Sequence, residues 1–392
     1  MNKIRSVALE GYKSFCMAPL PASLPPLPGQ GHATHVLRLD DVTLLIGPNG
    51  AGKSALTNFF NMLNFMTSGA LQEYVGRSGG ANSILHYGAK RTPMMHAELE
   101  LEEVDAATKR AYAVSLAHAA GDTLIFTEES TSYGPAHNAT RLITSLGAGH
   151  RESELRNHAN AGDPTARFIC GLLNRCRAYQ FHDTSPEANI RQGGFVEDNV
   201  YLRNNAGNLA AFLRGIKLRE DSRGYYERIV QTIQLAFPQL KDFVLEPQAL
   251  NEKYVMLNWT SEDDSSYLFG PHQLSDGALR FAALTTLLLQ PPDKMPSLIV
   301  LDEPELGLHP QAIVLLAELL KSAAATSQVL VATQSPVLVD QFELANIRPI
   351  EQHSGHSVIL DLDPEAYAGW LQEYSAGELW TKNLIGGGPT HG

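Results

Sequence analysis

Three short stretches hold residues whose types and spacing could do chemistry. The first, "GPNGAGKS", residues 47–54, fits the pattern G-x-x-x-x-G-K-[ST]. It lies between the strand-like run "VTLLIG" and the helix-like run "KSALTNFFNMLNFM", the context that this pattern requires. A glycine-rich turn entering a helix presents main-chain N–H groups to phosphate oxygens. Gly47, Pro48, Asn49, Gly50, Ala51, Gly52, Lys53, Ser54 and Ala55 therefore read as a nucleotide-binding run. Lys53 would reach the β- and γ-phosphates, and Ser54 would hold Mg²⁺.

The second stretch is "SLIVLDEPELGLHP". Four apolar residues end in Asp302 and Glu303, the arrangement of a buried strand that delivers a carboxylate to a magnesium ion. Asp302 would hold the metal, and Glu303 would polarise an attacking water. The third stretch, "QLSDGALRF", reads as a helix start. Its Gly277 is costly there, by about 1 kcal/mol relative to Ala, which points to a purpose. The N–H groups at a helix start attract anions. If two chains pair head to tail, Ser275, Asp276 and Gly277 of one would close over the γ-phosphate held by the other.

Behind these motifs the hydrophobic period changes along the chain. "IRSVALEGYKSF" begins as a strand, and the proline-rich "APLPASLPPLPGQGH" reads as a surface loop. "MHAELELEEV", "YAVSLAH" and "DTLIFTEES" alternate like neighbouring antiparallel strands. A polar, helical region follows, with Gly215, Gly224 and Pro238 expected to break it into short helices. "DFVLEP", "YVMLNW" and "SYLFG" read as strands. Strand and helix alternation then returns through "SLIVLD", "HPQAIVLLAELLKSAAA" and "QVLVAT" and implies a largely parallel sheet. Four segments result: a first lobe over 1–135, a helical insertion over 136–250, a second lobe over 251–345 and an extension over 346–392. The fold class is α/β, a P-loop NTPase with an antiparallel β subdomain and an inserted helical region.

Composition sets outer bounds. The 392 residues carry 42 acidic and 30 basic side chains, a net charge of −12, which argues against a chain built to coat nucleic acid. Three cysteines form neither a disulfide framework nor a zinc pattern and read as reduced thiols. The first residues lack the apolar core of a secretory signal, and no run approaches the roughly 18 apolar residues of a membrane span. The expectation is a cytoplasmic protein with no membrane partner.

The ordered set of phosphate loop, Ser-x-Gly turn and Asp-Glu strand resembles the ATP-binding-cassette (ABC) ATPases. "LSDGALR" differs from the transporter signature and is similar to the SMC, RecF and OLD-type branch, as are "GYKSF", "LDEPELGLHP" and "VATQSPVLVD". The resemblance is nearest to compact bacterial RecF/OLD-like ATPases, in which "FHDTSP", "DNVYLR", "GPHQLSDG" and "YSAGELW" have counterparts. It implies an ABC-type head without coiled-coil arms, using ATP and Mg²⁺. It also implies that Lys13 and Ser14 lie beside the nucleotide and that Gln180 stands where a metal-sensing Q-loop residue would. Gln334 takes the place of a switch histidine, leaving Glu303 as the main base beside Lys53 and Gln334. His309 falls either at a dimer interface or at a helix start. His182 and Asp183 read as a capping turn before Pro186 rather than a metal site.

About fifty-five residues follow Gln334, fewer than a Toprim nuclease domain needs, so Asp361 and Asp363 are expected at a strand end. The implied function is an ATP-gated, head-to-tail homodimer that controls a separate effector protein, in a phage-defence or toxin-like setting. A DNA-binding repair ATPase of RecF type is the alternative.

Overall fold

The computed structural model describes residues 2–17, 30–103, 108–135 and 141–388. Most of the proline-rich stretch expected to be a loop lies outside the described residues. The chain divides into two compact units: residues 1–178, 297–300 and 330–392 form the first, and residues 179–296 and 301–329 the second.

The first unit contains two sheets. One is wholly antiparallel, with strand order Val36–Arg38, Lys3–Glu10, Met94–Glu102, Thr108–Ala119, Thr123–Pro135 and Leu142–Gly147. Met94–Glu102 alternates strictly between buried and half-buried positions, as a strand with one face on a core must. Leu142–Gly147, within a region expected to be helical, is instead the last strand of this sheet. Its largely exposed residues, Leu142 and Ile143 among them, obscure the alternation.

The other sheet carries Gln30–Thr34, His356–Leu362, Ile347–His353 and Val42–Ile46 in that order, with Val42–Ile46 parallel to Ile347–His353. It continues through the strands Gln328–Thr333, Leu298–Asp302 and Cys176–Tyr179. Every residue of Val42–Ile46 is buried, which explains why the strand is apolar apart from Thr43. The helix Lys53–Ser68 follows it and ends at Gly69, whose φ of +74° and N–H bond to Met66 O make a left-handed cap. Tyr12, Phe59, Phe60 and Phe126 are central to the core of this unit.

The second unit is built around the helices Leu209–Leu218, Arg223–Ala236, Asp276–Leu289 and Pro310–Ala323. Asp276–Leu289 packs against both Arg223–Ala236 and Pro310–Ala323, so it is apolar almost all round from Leu279 onward. Gly215 and Gly224 do not interrupt their helices. The break falls instead at the Arg219–Ser222 turn, where Ser222 Oγ caps Ile216 O at 3.0 Å. "YVMLNW" is split: Asn251–Val255 pairs with Gly194–Phe195 and Pro247–Gln248, and Asn258–Ser261 pairs with Leu240–Val244. "SYLFG" is not a strand but a turn joined to Trp259 by a single bridge at Phe269.

Candidate functional site

The phosphate loop turns out of the buried strand Val42–Ile46 and into the helix Lys53–Ser68. Gly50 and Gly52 have φ of +80° and +119°, values that an L side chain resists. No side chain caps the helix start at Gly52. Lys53 is buried and folds back, its Nζ donating to Gly47 O at 2.6 Å and Pro48 O at 3.1 Å. Ser54 is exposed at the first turn. A buried ammonium curled on its own loop, an uncapped helix start and an exposed hydroxyl together fit a nucleotide phosphate chain with a divalent cation.

Neighbouring segments hold this loop in shape. A Cβ on Gly52 would stand 2.3 Å from Ser357 Oγ and 3.0 Å from Ser14 Oγ, so both serines press on the cradle. Ser357 Oγ donates to Ala51 O, and Gln352 Nε2 donates to Gly50 O at 3.1 Å. The "GYKSF" segment thus stands against the loop through Ser14. Lys13 beside it takes a left-handed φ of +46°, its N–H donating to Ile84 O and its own carbonyl accepting from His86 Nδ1 at 2.6 Å. Burial lowers the Lys13 ammonium from its usual range and also lowers His86, against the opposing effect of its bond to Lys13. Gln352, Ser357 and His86 escaped the sequence reading. They come from distant strands and turns with no motif to flag them.

In the second unit Asp302 and Glu303 border a small cleft with Tyr179, Phe181, His182 and Arg280. Glu303 adopts φ of +43°. A non-glycine residue held there costs of order 1–3 kcal/mol and persists only when its surroundings impose it. The restraints are visible. His182 donates from Nε2 to Asp302 O at 2.7 Å, which fixes the ring's tautomer, and Leu306 N–H donates to Glu303 O at 3.2 Å. Arg280 then ties the carbonyls of Phe181, His182 and Leu306 together at 3.2, 2.7 and 2.9 Å. His182 is therefore an anchor of the acidic turn. Asp183 closes an Asx turn on Ser185, accepting from its N–H at 3.1 Å and its Oγ at 2.7 Å, rather than capping a helix.

Ser275 is the N-cap of Asp276–Leu289, its Oγ accepting from Ala278 N–H at 3.2 Å, and Ser275 and Asp276 are exposed. A buried arginine builds the turn from beneath. Arg191 donates to Thr184 O at 2.7 Å, Pro271 O at 2.6 Å, Leu274 O at 3.1 Å and Asp276 Oδ1 at 2.6 Å. Gly277 has a reason within the chain: a Cβ there would lie 2.8 Å from Gly307 O in the turn after Glu303. Arg191 belongs to no motif, and Arg280 closes the "LSDGALR" stretch with no role assigned to it there, so neither was read as part of the site.

Gln334 stands half-buried just after the strand Gln328–Thr333, and the next residue, Ser335, caps Pro336–Val339. Gln180 follows the strand Cys176–Tyr179 with an exposed side chain, and its N–H donates to Asn204 O at 2.9 Å. His309 caps Pro310–Ala323 by accepting from Gln311 N–H at 3.4 Å, a helix-start role. Asp361 pairs with Arg38 at 2.7 Å and Asp363 caps the turn at Pro364, so both acids serve the strand end. The three cysteines are buried free thiols, and burial pushes the Cys176 thiol up to about 12. Among the described residues no group of three or more His, Cys, Asp or Glu is placed to hold a metal. No helix among them is long and apolar enough to cross a membrane.

Residues 176–340 match a family model described as "AAA domain, putative AbiEii toxin, Type IV TA system". No curated protein matches the chain. Among solved structures, an SMC head bound to the C-terminal winged-helix domain of ScpA is similar at 14% identity. That match has a TM-score of 0.54 and covers 93% of this chain and 99% of the other. An SMC head from Thermotoga maritima is similar at 14% identity and TM-score 0.46, over 92% and 99% of the two chains. A Pyrococcus furiosus SMC head with an extended coiled coil is similar at 14% identity and TM-score 0.49, over 95% and 99%. The chain is a mixed α/β protein with a fold like that of SMC heads, and the family match together with that fold supports an ATP-binding ATPase.

Proposed function

We propose that this chain is an Mg²⁺-dependent ATPase of the RecF/OLD-like branch that works as an ATP-gated switch. The observation that carries the reading is Lys53, buried and turned onto Gly47 O and Pro48 O at an uncapped helix start. Lys53 would exchange those carbonyls for β- and γ-phosphate oxygens, and Ser54 and Asp302 are the residues that would hold the magnesium ion. Magnesium, when bound, offsets charge on the transferred phosphoryl group. Glu303 accepts a proton from the attacking water. Gln334 can hydrogen-bond the γ-phosphate but carries no titrating proton.

Two chains pair head to tail, so that Ser275 and the N–H groups following it cap the γ-phosphate held by the other chain's Lys53. Exposure of Ser275 at a finished N-cap supports that role. Hydrolysis removes the shared phosphate and opens the pair, and a separate effector protein reads the change. The matched family's description as a putative toxin supports an effector setting of that kind.

The test is a Glu303→Gln variant in ATP and Mg²⁺, sized by light scattering. A dimer that persists with ATP and dissociates without it supports the scheme. A Glu303→Gln chain that binds ATP yet stays monomeric contradicts it.

A further inference from the structure

The segment Ser375–Gly388 belongs to none of the nucleotide motifs, yet it closes on the phosphate loop. Its helix, Ala376–Thr381, opens with a capping box in which Ser375 Oγ accepts from Glu378 N–H at 3.2 Å and the Glu378 carboxylate accepts from Ser375 N–H at 2.9 Å. Gly377 N–H donates to Asp340 Oδ1 at 2.7 Å, at the end of the short helix that begins beside Gln334 and Ser335. After the helix the chain reverses, and Ile385–Gly388 is buried.

A buried loop must place its main-chain polar groups, and those of Gly387 and the Gly388 N–H have partners. Gly387 N–H donates to Glu351 Oε1 at 2.8 Å, Gly387 O accepts from the Trp380 indole N–H at 2.5 Å, and Gly388 N–H donates to Asn383 Oδ1 at 2.9 Å. Leu379, Trp380 and Ile385 anchor the segment in the core. Gly387 has φ of +63°, and a Cβ there would meet Pro349 Cβ at 3.2 Å, Ile46 O at 3.3 Å and Gly47 Cα at 3.5 Å. Ile46 ends the strand that feeds the phosphate loop, and Gly47 begins the loop. On the same strand as Glu351, Gln352 holds Gly50 O.

We propose that Ser375–Gly388 is a clasp that positions the phosphate loop, bracing Ile46 and Gly47 through Gly387 and reaching the Gln334 turn through Asp340. The inference rests on the nucleotide-binding reading of that loop. Trp380, Glu351 and Gly387 are positioning residues: they act on nucleotide through Gly47. Linkage makes the effect reciprocal, so a nucleotide that orders the loop also orders the clasp.

The test uses the full chain. A fluorescent ATP analogue is titrated into wild type, Lys53→Ala, Trp380→Phe and Gly387→Ala, and hydrogen exchange of wild type is followed with and without ATP. Trp380→Phe keeps an aromatic ring but removes the indole N–H together with part of the buried ring volume. Affinity is expected to fall roughly tenfold in both clasp variants, the scale of one buried hydrogen bond. Their melting points should stay within about 4 °C of wild type. ATP is expected to slow exchange at the Gly387 and Gly388 amides.

Wild-type affinity in both folded clasp variants overturns the proposal, and so does exchange that ATP leaves unchanged. Should a variant fail to fold, the exchange result on wild type decides. If wild type binds no better than Lys53→Ala, the phosphate-loop reading itself has failed and the clasp falls with it. That outcome shows in wild type rather than in the clasp variants.

Discussion

His182 holds the carbonyl oxygen of Asp302 at 2.7 Å, one residue before Glu303 enters the left-handed region at φ +43°. The imidazole thus restrains the peptide that aims the candidate base. A base must be placed to a fraction of an ångström to polarise water productively, so loss of this restraint should appear in turnover first.

Replacing His182 with Leu is expected to lower kcat roughly 10²-fold. ATP affinity should change less than about threefold, because His182 holds the main-chain oxygen of Asp302 rather than its carboxylate. Phosphate release at saturating ATP, set beside an equilibrium titration, separates the two quantities. Equal losses in both would mean that His182 does more than orient the turn.

Arg191 answers three main-chain carbonyls and Asp276 from a buried position. Arg191→Met strands those acceptors and should cost about 2–4 kcal/mol in urea unfolding. Asp276→Asn should cost well under that, since its side chain is 63% exposed. A milder effect for Arg191→Met than for Asp276→Asn would show that the guanidinium is not what shapes the turn.

Gly277→Val forces a side chain to within 2.8 Å of Gly307 O, and the turn after Glu303 must move. The expected result is loss of the ATP-dependent dimer with ATP affinity retained, read by light scattering and titration on one sample. A dimer of wild-type strength would mean that the close approach tolerates a shift.

Burial lowers the pKa of His35, with Glu10 opposing and His356 and His86 adding to the fall; burial likewise lowers His86. A lowered folded-state pKa means that the unfolded chain binds protons first as pH drops below about 6.5, so stability falls in that window. The urea midpoint should be lower at pH 5.5 than at pH 7.5, and the difference should shrink in a His35→Gln, His86→Gln double variant. An unchanged difference would assign the acid sensitivity to other groups.

The strands and helices of the α/β fold were legible wherever hydrophobic period and length agreed. Val42–Ile46, apart from Thr43, and residues 298–301 are apolar because both faces are buried, and Met94–Glu102 alternates because one is. Leu142–Gly147 was not legible, since an exposed edge strand need not alternate. Gly215 misled because tertiary packing overrides a cost of about 1 kcal/mol for an interior glycine, and Gly224 because it stands in the first turn of its helix rather than within it. At the site, motif residues such as Lys53 and Ser275 were readable because their spacing is local. Arg191, Arg280, His182, Gln352 and Ser357 act on main-chain atoms far away in sequence, and such partners leave no local pattern.

The head-to-tail pocket is tested most directly by mixing two defective chains, one Lys53→Ala and the other Ser275→Arg. Each alone should be inactive, while the mixture should recover hydrolysis from hybrid pairs that keep one intact pocket. No recovery from a mixture shown to contain hybrid pairs would contradict a nucleotide gripped by one subunit and capped by the other.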